Sequence, residues 1–279
     1  MGSGEWETPY PLPSSPSPPQ LPLVPRPATP RASVPPDPQL REFGRRLRAW
    51  YRRNHRDLPW RRTRDPYRVL VSELMLQQTQ VSRVLTKYAE FLARFPTLHH
   101  VARSTPRRVM EAWSGLGYYA RARNLHRLAV EVTDRGRAGR ATLPSDPAAL
   151  RALPGIGAYT AGAVASFAYE VRTPLVDTNV ERVLRRVFAP HLAPKSAAAH
   201  RAAWQTAAAA LPRTGRAAWT HNQALMELGA LVCTARVAHC VKCPVRRVCA
   251  TYEGAESRAA GVRRRVSEGR SVELLTPHR

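Results

Sequence analysis

The sequence lacks any apolar run that could cross a membrane. A bilayer-spanning helix needs roughly 18 or more consecutive apolar residues, and no stretch of this chain approaches that length. Its N-terminus also lacks the charged and then apolar pattern of a secretory signal peptide. We therefore expect a cytoplasmic protein in a reducing compartment.

Lysine is scarce, although the chain is strongly basic. Lys87, Lys195 and Lys242 are its only lysines, yet 44 Lys and Arg face 20 Asp and Glu, which gives a net charge of +24. Bias towards Arg codons can replace Lys by Arg, but it does not by itself create a surplus of positive charge. The excess lies beyond the first 38 residues, which carry two arginines against three acidic residues. Nucleic acid is therefore the first candidate partner.

Cysteine is limited to one short stretch near the C-terminus. The four are Cys233, Cys240, Cys243 and Cys249, spaced C-x6-C-x2-C-x5-C. Four thiolates on one loop can form a cage for a soft metal centre. Zinc stays an alternative, although structural zinc sites usually use two separate Cys pairs. Two disulfides are a further alternative, which the missing export signal disfavours. The single uneven run favours an iron–sulfur cluster.

Proline separates an N-terminal arm from the part that we expect to fold. Thirteen of the 26 prolines precede residue 39, so we expect residues 1–38 to form a disordered arm. Residues 256–279 are expected to be a basic, weakly ordered tail. Between them, a capping residue stands before proline at Asp65-Pro66, Thr105-Pro106 and Asp146-Pro147, which predicts three helix starts.

The part expected to fold shows little of the alternation typical of strands. Its apolar residues recur at helical spacing instead, as in Val81, Val84, Leu85, Tyr88, Phe91 and Leu92. We therefore expect an all-α fold. About 215 residues suit two small helical lobes better than one large core.

Glycine occurs in two segments that read as helix, tight turn and helix. In LPGIGAYTAG (153–162), Gly155 and Gly157 allow the backbone to turn and to approach another molecule closely. The free N–H groups at the start of the next helix can bind a phosphate, which suits a grip on the DNA backbone. Such a turn is often only structural, but GLGYYARARNLH (115–126) offers a second one.

Two carboxylates stand out by their surroundings. Glu73 lies in the apolar segment SELMLQQTQV, and Asp177 lies in PLVDTNVERV, just before a predicted helix. A solvated helix position explains Glu73 equally well, and a helix N-cap explains Asp177. Cleavage of a glycosidic bond requires one carboxyl that holds a proton and one that stays ionised near a developing cation. The pair is therefore a candidate for that chemistry.

Several blocks of the sequence together resemble one enzyme family. They are LPW (58–60), SELMLQQTQV (72–81), GLGYYARARNLH (115–126), LPGIGAYTAG (153–162), VDTNV (176–180), NQALMELGALVC (222–233) and the cysteine run. From about residue 40 to 252, the chain resembles the adenine DNA glycosylase family, MutY, a branch of the endonuclease III superfamily. This implies a two-lobed helical fold with the helix-hairpin-helix motif and DNA in the cleft. Residues 58–172 would form a six-helix lobe, and residues 39–57 and 173–255 a lobe whose four cysteines hold a [4Fe–4S] cluster.

The resemblance also implies roles for the two carboxylates and their neighbours. Glu73 would protonate a flipped adenine, which requires a raised pKa, and its apolar neighbours are consistent with one. Asp177 would stabilise the sugar cation or trap it covalently, while Asn179 and Tyr159 position the reacting groups. The cluster would have no part in base removal.

Other matched positions would bind the DNA. Those that line the family's adenine pocket are Arg56, Trp60, Leu76 and Gln223. Gln77, Gln78 and Tyr118 would fill the space that the flipped base leaves. Gly155 and Gly157 would contact the DNA backbone, as would the basic loop around the cluster, with Arg236, Lys242, Arg246 and Arg247. We expect a monofunctional enzyme, monomeric and associated with the nucleoid, that removes adenine opposite 8-oxoguanine or guanine in double-stranded DNA.

The chain departs from the family's pattern after the cysteine run. About 30 residues follow Cys249, which we expect to be too few for the family's C-terminal domain that recognises oxidised guanine. Opposite-base specificity is therefore an open point.

Three other functions compete with this interpretation. An endonuclease III-like pyrimidine glycosylase with lyase activity needs a lysine in the hairpin, where this chain has Tyr159. A mismatch-specific thymine glycosylase tolerates tyrosine there and stays the serious alternative. A non-catalytic DNA-binding or redox-sensing cluster protein would not need Glu73 and Asp177.

Overall fold

The computed structural model describes residues 37–135 and 142–254, which are mostly helical. Their helices are α1 (Asp37–Asn54), α2 (Pro66–Leu76), α3 (Val81–Arg94), α4 (Leu98–Ala102), α5 (Pro106–Ala112), α6 (Ala120–Arg135), α7 (Pro147–Arg151), α8 (Ala158–Tyr169), α9 (Thr178–Phe188), α10 (Ala197–Ala209) and α11 (Gly215–Leu231). Short 3-10 turns cover Pro59–Arg61, Cys240–Lys242 and Arg246–Val248. Over these ranges the β structure is one isolated bridge, between Cys233 and Ala238. The predicted all-α class is confirmed.

The predicted arm and tail fall almost entirely outside the described residues. Asp37 and Pro38, which we assigned to the arm, begin α1 instead. Of the helices within the described ranges, none is both long and apolar enough to cross a membrane.

Side-chain caps start three helices where the sequence predicted them. Asp65 accepts a hydrogen bond of 3.0 Å from the Arg68 N–H at the start of α2. Thr105 caps α5 through the Arg108 N–H at 3.3 Å, and Asp146 caps α7. Each side chain satisfies an N–H that has no partner within its own helix.

The apolar stripe of α3 faces the core, with one exception. Val84, Tyr88 and Phe91 are buried, and the Phe91 ring meets Trp113 edge to face at 5.5 Å between centroids. Leu85 is 38% exposed, because a residue directly beside Val84 on a helix points about 100° away from it. The predicted helix is confirmed, and its buried face is narrower than the six apolar residues suggested.

Helices α2 and α8 pack together at the centre and bring distant parts of the sequence into contact. Every residue of α8 from Thr160 to Ala168 is buried. Most of them are small, which allows the two helices to pack closely. A Cβ on Gly162 would lie 2.5 Å from the carbonyl oxygen of Pro174. The chain segment that leads to Asp177 therefore lies directly against α8.

The remaining helices pack around this pair. Helices α4 and α5 pack on α6, and α7 packs on α8. Helix α11 contacts α1, α9 and α8, and α10 packs on α9. All eleven described helices belong to one compact unit of the chain. The division into two lobes stays a prediction.

Candidate active site

Glu73 and Tyr159 meet where α2 packs against α8. The Tyr159 hydroxyl donates a hydrogen bond of 2.6 Å to Oε2 of Glu73. Glu73 is only 3% exposed, so the alternative that it occupies a solvated helix position is wrong. A carboxyl in this position exchanges water for one hydroxyl partner and apolar neighbours.

Burial raises the pKa of Glu73 to about 7. The hydrogen bond from Tyr159 acts in the opposite direction, and the nearby charge of Asp177 raises the pKa further. Burial disfavours the charged form of a carboxyl, so a proton stays on this group up to neutral pH. The raised pKa expected from the sequence is confirmed.

Asp177 is the N-cap of α9 as well as a neighbour of Glu73. Its Oδ1 accepts a 2.7 Å hydrogen bond from the Val180 N–H, and its Oδ2 accepts one of 3.0 Å from Nδ2 of Asn179. Burial raises its pKa, while these two hydrogen bonds lower it. The N-cap alternative is therefore correct and compatible with catalysis, because the cap fixes one oxygen of the carboxylate in place.

A chain of hydrogen bonds leads from Asp177 to the first cysteine. Oδ1 of Asn179 accepts a 2.8 Å bond from Nη2 of Arg182, whose Nε donates to the carbonyl oxygen of Cys233 at 2.9 Å. Arg182 was missed in the sequence, although its position within VDTNVERV, one turn into α9, is the signal that could have found it.

A second buried carboxylate, Glu227, holds the residues predicted to line the base pocket. It is fully buried, and both Arg56 and Arg61 place an Nη2 atom 2.7 Å from its Oε2. Burial acts to raise the pKa of Glu227, but the hydrogen bonds from the two arginines outweigh it and hold the pKa at about 2. Arg61 also donates from Nε to Oε1 of Gln223 at 2.9 Å. Arg61 and Glu227 were missed in the sequence.

The other two residues predicted for the base pocket belong mainly to the core. Trp60 is 6% exposed, and its ring contacts Tyr88 edge to face at 5.5 Å between centroids. Leu76, the last residue of α2, is partly buried and packs against the core. Their role in lining the base pocket stays a prediction.

The residues predicted to fill the DNA stack lie on two adjacent loops. Gln77 donates to Oγ1 of Thr160 at 3.3 Å, which ties it to α8. Gln78 and Tyr118 both have left-handed backbones, with φ of 55° and 47°. The Tyr118 side chain is 59% exposed. Arg121 contacts both loops through the carbonyl oxygens of Gln77 and Leu116.

The glycine turn of LPGIGAYTAG forms the predicted hairpin between α7 and α8. Gly155 has a φ of +75°, and a Cβ there would lie 2.6 Å from Cβ of Asn124. Gly157 is the N-cap of α8 without a side-chain cap, and a Cβ there would meet nothing within 4 Å. Another molecule can therefore approach the backbone closely at Gly157, next to helix N–H groups that have no partner within α8.

The four cysteines line one cavity of about 280 Å³ as free thiols. Burial raises the pKa of the Cys243 thiol to about 11 and also raises that of Cys249. Nη1 of Arg186 lies 3.4 Å from Sγ of Cys233. Within the described part of the chain, no group of three or more His, Cys, Asp or Glu side chains is arranged so that it could hold a metal ion. Four soft donors around a shared cavity suit a polynuclear centre, whose positive metal ions would stabilise the buried thiolates.

Comparison with known proteins finds adenine DNA glycosylases among the relatives of this chain. The family profile described as HhH-GPD superfamily base excision DNA repair protein matches residues 71–208. The adenine DNA glycosylase of Mycolicibacterium smegmatis is 46% identical over 200 residues, which cover 71% of this chain and 66% of the relative. The human adenine DNA glycosylase is 38% identical over 251 residues, which cover 86% of this chain and 45% of the relative. The chain thus spans less than two thirds of the length of these relatives.

Solved structures share the fold. A thermostable thymine-DNA glycosylase superposes with a TM-score of 0.69 and 28% identity, over 78% of this chain and 98% of the other. Endonuclease III from a non-covalent DNA complex superposes with a TM-score of 0.65 over 80% of this chain and 99% of the other, at 23% identity. The endonuclease III-like fold expected from the sequence is confirmed. The chain belongs to the HhH-GPD superfamily of base excision DNA repair proteins, and within it to the adenine DNA glycosylase family.

Proposed function

We propose that this protein is a monofunctional adenine DNA glycosylase. It hydrolyses the N-glycosidic bond of adenine mispaired with 8-oxoguanine or guanine in double-stranded DNA, as a step of base excision repair. The observation that carries the proposal is the buried Glu73 carboxyl, hydrogen-bonded to Tyr159 and electrostatically coupled to Asp177. This arrangement supplies a proton donor and an anion at one position.

The reaction begins with extrusion of the adenine, because a base inside the stack is out of reach of the site. Extrusion costs a few kcal/mol and is easiest for a mispaired base. Gln77, Gln78 and Tyr118 fill the vacated space, and an aromatic ring stacked on a base contributes roughly 1–3 kcal/mol. The exposed ring of Tyr118 is available for this.

Glu73 then acts as the general acid. Its pKa of about 7 keeps a proton on the carboxyl, and this proton passes to a ring nitrogen of the adenine. As the bond between C1′ and the base breaks, the bonding electrons leave with the base, which departs as neutral adenine. General acid catalysis of this kind contributes roughly 10²–10⁴-fold.

Asp177 stabilises the sugar cation that remains, or adds to it covalently for a time. Its Oδ1 is held by the Val180 N–H and its Oδ2 by Asn179, so little rearrangement is needed when positive charge develops nearby. Water finally adds its oxygen to C1′ and gives up one proton to a carboxylate. Tyr159 and Asn179 act by positioning.

The network around Glu227 forms the base-reading side of the site. Arg61 donates a hydrogen bond to Oε1 of Gln223. The amide N–H groups of Gln223 can then donate to adenine ring nitrogens. Arg56 is the more exposed arginine of the pair on Glu227, with 35% of its side chain accessible. Trp60 and Leu76 complete the wall.

DNA outside the base site is held by backbone contacts. The N–H groups at the uncapped start of α8, next to Gly157, bind a phosphate without recognising the base sequence. Gly155 forms the turn that presents these groups. The loop around the cysteines adds Arg236, Lys242, Arg246 and Arg247. We propose that the protein acts as a monomer associated with the nucleoid.

We also propose that Cys233, Cys240, Cys243 and Cys249 hold a [4Fe–4S] cluster. When bound, the cluster links the ends of the loop through four metal–thiolate bonds and shapes its basic surface for DNA. Arg186 beside Cys233 offsets part of the negative charge of the thiolates.

A panel of duplexes tests the proposed function under single turnover. Adenine or thymine is placed opposite guanine or 8-oxoguanine, and base release is measured for the wild-type protein. We expect release of adenine and not of thymine. Release of thymine would support the alternative of a mismatch-specific thymine glycosylase, which the similarity to the thermostable thymine-DNA glycosylase keeps in view.

A further inference from the structure

Arg121, near the start of α6, is a buried arginine whose guanidinium binds backbone instead of a carboxylate. It is 8% exposed, and burial lowers its pKa. In the described ranges, it has no acidic partner within ion-pair distance. A buried cation without an acidic partner is costly unless hydrogen bonds compensate for the lost water. The position of Arg121 therefore requires a structural or functional explanation.

One half of the guanidinium caps the C-terminus of α2. Nη1 of Arg121 lies 2.7 Å from the carbonyl oxygen of Leu74 and 2.5 Å from that of Gln77. The last carbonyls of a helix have no partner within the helix, and a cation is favourable beside them. Gln78, the next residue, has the left-handed φ of 55°.

The other half of the guanidinium holds the loop between α5 and α6. Nη2 lies 3.0 Å from the carbonyl oxygens of both Leu116 and Gly117. Tyr118 follows directly, with its φ of 47°, and the guanidinium carbon lies 5.4 Å from the centroid of its ring. One planar group thus binds both loops that carry the residues proposed to enter the DNA.

Each of the two loops places a non-glycine residue in a left-handed backbone conformation. Such a conformation persists only where its surroundings hold it. The carbonyls beside Gln78 and Tyr118 are those that Arg121 binds, so loss of its guanidinium would release both loops at once. Lysine could keep the charge but not the planar fork that reaches both sides.

We propose that Arg121 is a positioning residue that joins residues 77–79 and 115–118 into one rigid wedge for base extrusion. The inference rests on the proposed function and assigns its extrusion step to a coupling between two loops. Arg121 need not contact DNA or the reacting atoms. Its effect is on the rate at which Gln77, Gln78 and Tyr118 enter the stack together.

The experiment measures extrusion separately from chemistry. Every protein carries Glu73→Gln, and the duplex contains an adenine–guanine mispair with 2-aminopurine beside the adenine, whose fluorescence rises when its neighbour leaves the stack. With Arg121→Lys, we expect the rise to slow by about tenfold or more, because misplacement of about 1 Å can cost 10²-fold in rate. Affinity for the same duplex should stay within about threefold, because phosphate contacts dominate it.

Two variants make the result specific. Arg127→Lys is the matched control, because Arg127 is exposed on the same helix and the substitution, like Arg121→Lys, keeps the net charge. We expect it to extrude the base at the parental rate. Thr79→Val removes a weaker link, the 3.4 Å bond from Oγ1 of Thr79 to the carbonyl of Leu116, and should slow extrusion less than Arg121→Lys does. If circular dichroism shows that Arg121→Lys does not fold, the extrusion rate of Thr79→Val is compared with that of its parent instead.

Two results would overturn the inference. One is a folded Arg121→Lys protein that extrudes the base as fast as its parent. The other is an equal slowing in Arg127→Lys. Adenine release by the protein without Glu73→Gln is measured in parallel and tests the proposed function by itself. Absence of release together with extrusion that depends on Arg121 would reject the glycosylase proposal and keep this one.

Discussion

The hydroxyl of Tyr159 lies 2.6 Å from the Glu73 carboxyl, although the two residues are 86 positions apart in the sequence. The bond connects the first turn of α8 to the last turn of α2. It joins a group whose own pKa is raised well above 10 by burial to a carboxyl that titrates near neutral pH. Glu73 is therefore the proton donor of the pair, and Tyr159 holds its carboxyl in place.

Removing either carboxylate should abolish base release and leave the fold intact. We expect Glu73→Gln and Asp177→Asn each to lower the single-turnover rate by roughly 10²–10⁴-fold, with DNA affinity retained. Asp146→Asn is the matched control for Asp177, because Asp146 caps α7 through the Ala149 N–H at 2.8 Å and is exposed. A variant of Glu73 or Asp177 that keeps near wild-type rate would remove that residue from the mechanism.

The rate of base release should fall as pH rises through about 7, because the acid must be protonated to act. In Tyr159→Phe, the midpoint of this fall should move to higher pH, since the Tyr159 hydrogen bond favours the carboxylate. The pH profile of the single-turnover rate measures both. Tyr169→Phe, a loss of a hydroxyl elsewhere on α8, should leave the midpoint in place. A midpoint that moves down in Tyr159→Phe would contradict the assignment of Glu73 as the acid.

The same carboxyl should make stability depend on pH. Its folded-state pKa of about 7 exceeds the ordinary value of 4.5, so the folded state binds more protons and loses stability as pH rises from 4.5 through 7. Relative to wild type, Glu73→Gln should therefore gain up to about 3 kcal/mol in free energy of unfolding between pH 4 and pH 8. Urea denaturation at the two pH values measures it. Glu90→Gln, at an exposed position, should show no such gain.

The enzyme should release the base without cutting the strand. A lyase needs an amine to form a Schiff base with the sugar, and the hairpin position that would carry it is Tyr159. We expect borohydride to trap little protein–DNA adduct, and strand breaks to appear only after treatment with alkali or heat. Efficient trapping during turnover would place the chain in the lyase branch.

The purified protein should be yellow-brown and contain about four irons per chain, as a [4Fe–4S] cluster requires. Cys240→Ser should bleach it and weaken DNA binding, because the basic loop loses its anchor. Val241→Ser, next to it and 80% exposed, should keep colour and affinity. A colourless, active protein with one zinc ion would reject the cluster.

The sequence alone was sufficient for features that depend on neighbouring residues. The caps at Asp65, Thr105 and Asp146 follow from a side chain and an N–H three residues later, so their prediction needed no knowledge of packing. Glu73 was found through its motif, but its burial depends on α8, far along the chain. The prediction of its raised pKa succeeded because apolar residues flank it.

The features that were missed depend on tertiary contacts. Glu227 binds Arg56 and Arg61 across 171 and 166 positions, and nothing local to NQALMELGALVC marks that glutamate as buried and ionised. Arg121 lies inside a block that we singled out, yet its partners are backbone carbonyls, which carry no residue identity. No pattern of side chains could have revealed them.

The close packing of Gly162 against Pro174 has a consequence for how this enzyme tolerates variation. Gly162 lies one turn beyond Tyr159, and the segment it touches ends at Asp177, so its missing side chain sets the spacing between the two halves of the chemistry. Replacement by alanine would push these halves apart by the width of a methyl group, without altering any group that reacts. If the proposed function is correct, loss of base release is therefore expected from a change at this buried position of α8, and a search confined to catalytic residues would overlook it.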